Sequence, residues 1–376
     1  MKKTKPTPEE DDPELAEMRA ALRAKRKKST SDAEDAKVWL STGSTLLNLA
    51  CTGNPFRGMM AGGYYLVIGD SSAGKTVLAS TCLAEAAINP KFDDYDLIFD
   101  NVEDGAFFFE KFYGPRVCKR IKSPNTNKKT GEPANSTTVE EFYANHSRLT
   151  SERSNIYILD SQDALSSDAE KKKQKEKRKA IETQTETAGV MTDAKAKLHS
   201  QNLRAAVADT RDTKSILVML AQSRDNMGFG AQFEPKTRSG GRALKFYAQL
   251  EMWFSVLKHL KKDVRGKQRE IGIVARVKVK KNRFTGKNRT VDIPIYHSFG
   301  IDDIGSCIEF LITEKHWSKK KGAGINAPEF EFTGSTKQLI DHIEQNNLER
   351  QLRKLVGRVW HEIEAETEVV RKNKYL

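Results

Sequence analysis

The chain has 376 residues, 38% hydrophobic and 31% charged, with a formal net charge of +13. That length is enough for one large domain with appendages or for two domains, each with a real core. No apolar run approaches a membrane span, and the start, MKKTKPTPEEDDPE, lacks the apolar core of a signal peptide, so a cytoplasmic protein without membrane association is expected.

The charge is uneven. Residues 1 to 37 hold ten basic and nine acidic side chains, whereas residues 261 to 289 hold twelve basic and two acidic ones, a positive field that favours a polyanion. Cys51, Cys82, Cys118 and Cys307 are scattered without CxxC spacing, and the histidines do not cluster. A disulfide framework or a zinc site is therefore not expected.

In chain order, residues 1–37 form a polar arm in which Leu15, Met18 and Leu22 have helical spacing, too thin an apolar face to stand alone. From residue 38 strands and helices alternate. YYLVIG (64–69) reads as a strand and KTVLASTCLAEAAIN (75–89) as a helix. YDLIFDNVE (95–103), SNIYILDSQ (154–162) and KSILVMLAQS (214–223) read as buried strands, the last preceded by a helix over 192–207. Continuous apolar strands separated by helices imply an α/β fold with a mostly parallel sheet covered on both faces. AQLEMWFSVLK, EIGIVARVKVKKNRF and RTVDIPIYHS then predict an antiparallel extension joined by short polar turns, and residues 301–376 a small α-rich C-terminal lobe.

GDSSAGKT (69–76) fits G-x-x-x-x-G-K-[ST] between a strand and a helix. In such a loop Gly69, Asp70, Ser71, Ser72, Ala73 and Gly74 let the backbone wrap a phosphate, Lys75 supplies a point charge, and Thr76 ligates Mg²⁺. The site needs an acidic partner on a neighbouring strand. Asp160, ending IYILD, is the first candidate, and Asp100, ending LIFD, competes with it. Glu103, just past a strand end, has the chemistry to orient or deprotonate water, against the plainer reading of a surface carboxylate. Gln222 ends the apolar strand ILVMLAQ at the sheet's carboxyl edge, as a γ-phosphate contact or as a structural cap.

Taken in order, LSTGSTLLNLA, GDSSAGKT, DNVEDG, ILDSQDAL, SGGRALKFYA (239–248) and RVKVKKNR (276–283) resemble the RecA family of recombinases over residues 38–300. The resemblance implies a RecA-type ATPase core using ATP and Mg²⁺, with an N-terminal polymerisation arm. Lys75 and Thr76 would hold phosphate and Mg²⁺, Asp160 would be the Walker B position, Glu103 would hold the water, and Gln222 would sense the γ-phosphate. Lys281 and Arg283 fall where the family places two lysines that complete ATP sites across a subunit interface, and Lys245 and Phe246 match interface positions. On spacing alone, residues 276–283 would be an edge strand kept soluble by lysines. There are departures: Arg283 replaces a lysine, an extra residue separates Asp100 from Glu103, and the adenine-stacking tyrosine has only Phe107, Phe108 and Tyr113 as candidates.

The resemblance also implies DNA-binding loops near 163–191 and 223–239. In the second, Arg224, Lys236 and Arg238 would meet phosphates and Met227, Phe229 and Phe233 would pack on bases, with Gly228, Gly230, Gly240 and Gly241 conferring conformability. The implied protein forms a helical homo-oligomeric filament on single-stranded DNA, pairs it with homologous double-stranded DNA, and hydrolyses ATP when DNA is bound. A ring-forming helicase or another RecA-fold motor is the alternative, disfavoured by the SGGRALKFYA block and the single ATPase core. The densest basic run, Lys171, Lys172, Lys173, Lys175, Lys177, Arg178 and Lys179, falls in the first loop. It reads either as an enlarged loop adding phosphate contacts or as a solvated helical extension.

Overall fold

Strand β1 (Gly63–Gly69) is the seed of the architecture: all seven of its residues are buried, which requires cover on both faces. A computed structural model describes residues 37–103, 109–183, 194–225, 236–238, 241–320 and 324–371. The expected N-terminal arm lies outside them. Around β1 a ten-stranded sheet forms. Its parallel members are β2 (Asp96–Asn101), the short edge β3 (Ile121–Lys122), β4 (Asn155–Asp160), β5 (Ile216–Asp225) and β7 (Leu250–Val264). They run in the order β7-β1-β5-β4-β2-β3. Antiparallel strands β8 (Lys267–Asn282), β9 (Thr290–Tyr296) and β10 (Gly300–Ile301) extend the β7 edge, and β6 (Lys236–Arg238) folds back on the end of β5. This is the expected α/β class with its antiparallel extension.

Helices α4 (Val139–Glu152), α6 (Ala194–Asp212) and α7 (Gly241–Tyr247) cover one face of the parallel half. There Phe142, Leu203 and Leu244 pack with Leu66, Ile68, Tyr157, Leu159, Leu217 and Met219. Each such side chain fully withdrawn from water contributes about 1.5–3 kcal/mol. α2 (Lys75–Ile88) packs on β1, β2, β4 and β5, and α1 (Thr45–Thr52) begins at Ser44, whose hydroxyl accepts from the Leu47 N–H.

The antiparallel half is longer than its sequence pattern suggested. β7 and β8 have 15 and 16 residues and meet in a tight turn at Arg265 (φ 57°) and Gly266 (φ 73°). Two positive φ values in a two-residue loop match the right-handed twist of the flanking strands. Past Val256 most of β7 is exposed, so no alternation marked it as a strand.

Residues 301–320 and 324–371 contain α8 (Asp303–Thr313), α9 (Thr336–Gln345), α10 (Glu349–Glu366) and a three-stranded sheet, β11 (Ser318–Lys320), β12 (Gly324–Ala327) and β13 (Phe332–Gly334). They are anchored to the core by charge. The Asp303 carboxylate accepts from Thr45 N (2.6 Å) and Thr45 Oγ1 (2.8 Å) and pairs with Arg353 (3.0 Å). Glu364 takes Lys287 Nζ at 2.6 Å and a two-pronged Arg289 contact, which holds its carboxyl down at about 2.

Candidate functional site

Residues 70–74 carry the chain from β1 into α2 along a path that needs glycine. Gly74 has φ +93°, and a Cβ there would lie 2.4 Å from Ile295 Cδ1. Lys75 is buried at the first turn of α2 and donates from Nζ to the carbonyls of Gly69 (2.9 Å) and Asp70 (2.8 Å). Burial pushes its ammonium pKa down, although the Asp160, Glu103 and Asp70 carboxylates oppose the shift. Next to it, Thr76 Oγ1 donates to Asp160 Oδ2 at 2.7 Å. Burial raises the Asp160 pKa, against the Thr76 hydrogen bond. A hydroxyl and one carboxylate, side by side at the mouth of a phosphate loop, suit Mg²⁺, which keeps several waters and takes few protein oxygens. Among the described residues, no cluster of three or more His, Cys, Asp or Glu side chains forms a metal site of another kind.

Register turns the two strand-end aspartates to opposite faces. β2 and β4 pair with Asn101 opposite Asp160 and Asp100 opposite Leu159. Successive side chains alternate between sheet faces, so Asp100 points away from the phosphate loop. It accepts from Tyr157 Oη (2.7 Å) and Ser136 N (2.8 Å), and burial raises its pKa. Asp100 is a structural carboxylate; Asp160 is the one that meets Thr76.

Glu103 joins the same cleft. Its Oε1 accepts from Ser161 Oγ, the residue after Asp160, and from Gln222 Nε2 at 3.1 Å. The cleft has a volume of about 430 Å³ and is lined by the phosphate loop, Asn101, Glu103, Asp160 and Gln222. Ile273, Ile295 and His297 close it from the antiparallel half. Sequence reasoning missed Asn101, Ser161, His297 and the two isoleucines. Only Asn101 and Ser161, as neighbours of strand-end residues, carried any signal.

The expected interface residues converge elsewhere. Lys281 Nζ donates to the carbonyls of Lys245 (2.5 Å) and Phe246 (2.8 Å), and Arg283 Nη2 donates to Phe246 O (2.6 Å). The two cations thus cover the C-terminal end of α7, and neither lines the phosphate cleft of its own chain. Burial, helped by the nearby Arg283 charge, pushes Lys281 down to about 8. Phe246 is 66% exposed.

Of the second loop's residues, Arg224 lies 3.6 Å from Asp163, and Arg238 Nη1 donates to Gly241 O at 2.8 Å. Lys236 pairs with Asp225 (3.0 Å) and Asp70 (3.3 Å). Met227, Gly228, Phe229, Gly230, Phe233 and Gly240 lie outside the described residues, as do Phe107 and Phe108. Tyr113, the remaining adenine candidate, sits in α3 (Phe109–Cys118) with its hydroxyl on Ser80 (2.9 Å) and Thr81 (2.8 Å), and it does not line the cleft. These contacts tie α3 to α2.

The basic run lies on a helix, α5 (Asp168–Thr183). The start signal was there to be read: Ser167 Oγ accepts from Glu170 N (3.1 Å) and Glu170 Oε2 accepts from Ser167 N (3.0 Å). Lys172, Lys175 and Lys177 are exposed, Lys173 is half-buried, and Lys171 donates to Thr137 Oγ1.

A sequence model of the RecA N-terminal domain matches residues 151–302, from the end of α4 to just past β10. Curated proteins named Protein RecA also match. The one from Trichodesmium erythraeum (strain IMS101) is 32% identical over 179 residues, covering 45% of this chain and 48% of that protein. The one from Chlamydia muridarum (strain MoPn / Nigg) is 29% identical over 186 residues, covering 49% and 50%. The match to Chloroherpeton thalassium (strain ATCC 35110 / GB-78) is longer, 28% over 291 residues, covering 76% and 70%. Over these stretches the chain is similar to the RecA family. In its matches to the first two of these relatives it spans about half of their length. The domain match includes Asp160, Gln222, Lys245, Phe246, Lys281 and Arg283, while the phosphate loop and Glu103 lie before it. No helix among the described residues is long and apolar enough to cross a membrane.

Proposed function

We propose that this chain is an ATP-dependent DNA recombinase. It assembles as a helical filament on single-stranded DNA, pairs that strand with homologous double-stranded DNA, and hydrolyses ATP at subunit interfaces when DNA is bound. The observation that carries this reading is the position of Gln222. Its amide holds Glu103 in the cleft, and its strand, β5, runs directly into the Arg224–Arg238 segment.

Backbone N–H groups of residues 70–75 and the Lys75 ammonium hold the ATP phosphates, and Thr76 with Asp160 hold Mg²⁺. The bound ion supplies charge neutralisation at the phosphates. Glu103 orients a water and takes its proton as the water oxygen bonds to the γ-phosphorus and the bond to the ADP oxygen breaks. Gln222 exchanges its Glu103 contact for a γ-phosphate oxygen, which frees Glu103 for the water and shifts the end of β5. Lys281 and Arg283 serve the ATP of the neighbouring subunit, where a guanidinium is as competent as an ammonium to stabilise phosphate charge. Lys281 remains mostly protonated at pH 7, since its pKa lies near 8.

DNA is held by Arg224, Lys236 and Arg238 on phosphates and by Met227, Phe229 and Phe233 against bases, with Gly228, Gly240 and Gly241 conferring conformability. Lys171, Lys172 and Lys173 on α5 add phosphate contacts. The test is ATPase activity with and without single-stranded DNA, joined to negative-stain imaging with a slowly hydrolysed ATP analogue. Strong stimulation and DNA-dependent filaments are expected. Closed rings without filaments would overturn the reading in favour of a ring-forming motor.

A further inference from the structure

We propose that Asp70, the second residue of the phosphate loop, is a clasp that ties the base of the β5–β6 hairpin to the nucleotide site and withholds Lys236 from DNA until a polyphosphate binds. This rests on the DNA-binding reading above and adds a coupling residue to it.

The Asp70 carboxylate accepts from Ser223 Oγ on β5 and from Lys236 Nζ on β6, the latter at 3.3 Å. The two strands are paired here: Lys236 is opposite Asp225 and Arg238 opposite Ser223. One side chain therefore grips both arms of the hairpin at its root. The same residue is tied to the phosphate-site lysine through its main chain, because its carbonyl accepts from Lys75 Nζ at 2.8 Å. Ser223 directly follows Gln222, whose amide is on Glu103. The end of β5 is thus attached to the catalytic cleft twice, by Gln222 to Glu103 and by Ser223 to Asp70.

The charges give the clasp a direction. With the loop free of phosphate, Asp70 lies in the field of Lys75, and Lys236 is neutralised by Asp70 and Asp225. A polyphosphate entering the loop draws Lys75 to its own oxygens and sets negative charge beside the Asp70 carboxylate. Repulsion between the two opposes the closed clasp, and Lys236 becomes available to a DNA phosphate. Asp70 is a positioning residue in this scheme: it acts through Ser223 and Lys236, and the reacting atoms are handled by others.

The experiment measures binding of a fluorescein-labelled single-stranded oligonucleotide by anisotropy, without nucleotide and with a slowly hydrolysed ATP analogue, at several salt concentrations. Asp70→Asn and Ser223→Ala are each expected to raise nucleotide-free affinity about three- to tenfold and to steepen the log–log salt slope by roughly one phosphate contact. The ratio of nucleotide-bound to nucleotide-free affinity should fall accordingly. Adding Lys236→Gln to Asp70→Asn should cancel the gain, a reversal that simple loosening of the loop would not give. If wild-type binding responds to nucleotide but the variants bind like wild type or more weakly without it, the clasp is wrong and the DNA reading stands. If the wild-type chain binds no single-stranded DNA in either state, both fall together.

Discussion

The two halves of the sheet use their strands in opposite ways. In the parallel half, β1 and β4 are buried along their whole length, and the carboxyl-end side of β1, β2, β4 and β5 brings Lys75, Glu103, Asp160 and Gln222 to one edge. In the antiparallel half, β7 and β8 run out of the core into a basic hairpin carrying Lys261, Lys262, Arg265, Lys267 and Arg269. Covered strands fix a few polar groups with high precision, because a misplaced buried carboxylate costs several kcal/mol. Uncovered strands spread charge and tolerate substitution. The difference predicts that chemistry and acid stability reside in the first half, and assembly in the second.

Substitutions can break that division, beginning with the largest effect. Lys75→Ala should lower ATP turnover by on the order of 100-fold or more, measured by phosphate release, with far-ultraviolet circular dichroism unchanged. The two aspartates sharpen the contrast. Asp160→Asn should reduce turnover by a similar factor, whereas Asp100→Asn should act on folding, costing about 1–3 kcal/mol in denaturant melts because Ser136 N and Tyr157 Oη lose their charged acceptor. Equal loss of turnover from Asp100→Asn without destabilisation would contradict the register argument.

Acid stability comes next. His146 on α4 and His199 on α6 are buried, and burial lowers both to about 4. Below the ordinary histidine value of about 6.5 the unfolded chain binds protons that the folded chain does not. Their contribution is therefore complete above pH 6.5 and is lost as pH falls towards 4, so Tm should drop steeply between pH 6.5 and 4.5. A flat Tm over that range would show that these imidazoles are not neutral in the fold. The smallest effect belongs to the contact between α10 and the segment joining β8 to β9. Glu364 has a depressed pKa, so its stabilisation is present above about 4.5 and disappears as pH falls through 2. Glu364→Gln should lower Tm by a few degrees at most at pH 7, and the difference from wild type should vanish near pH 2.

Much of the site was legible because the sequence holds it in short local units. GDSSAGKT contains its own turn, lysine and hydroxyl, and the apolar strands announce their ends. The sequence was less informative where the structure is held by pairing alone. From Lys261 outward the hairpin is exposed on both strands and has no buried face to impose alternation, so it is sustained there by the ladder from Lys261 to Val264. The helix α5 was legible in principle from Ser167 and Glu170, but its lysines drew attention to charge instead.

By itself the sequence determined the order of strands and helices, the phosphate loop and a shortlist of carboxylates. Local spacing and burial pattern are enough for those. Only the tertiary structure decided which groups each carboxylate meets. Strand register turns Asp160 towards Thr76 and Asp100 away, and it brings Glu103 to Gln222 across 119 residues and Asp70 to Ser223 across 153. A shift of one residue in pairing would send each of these side chains to the other face, and no stretch of sequence records that choice alone.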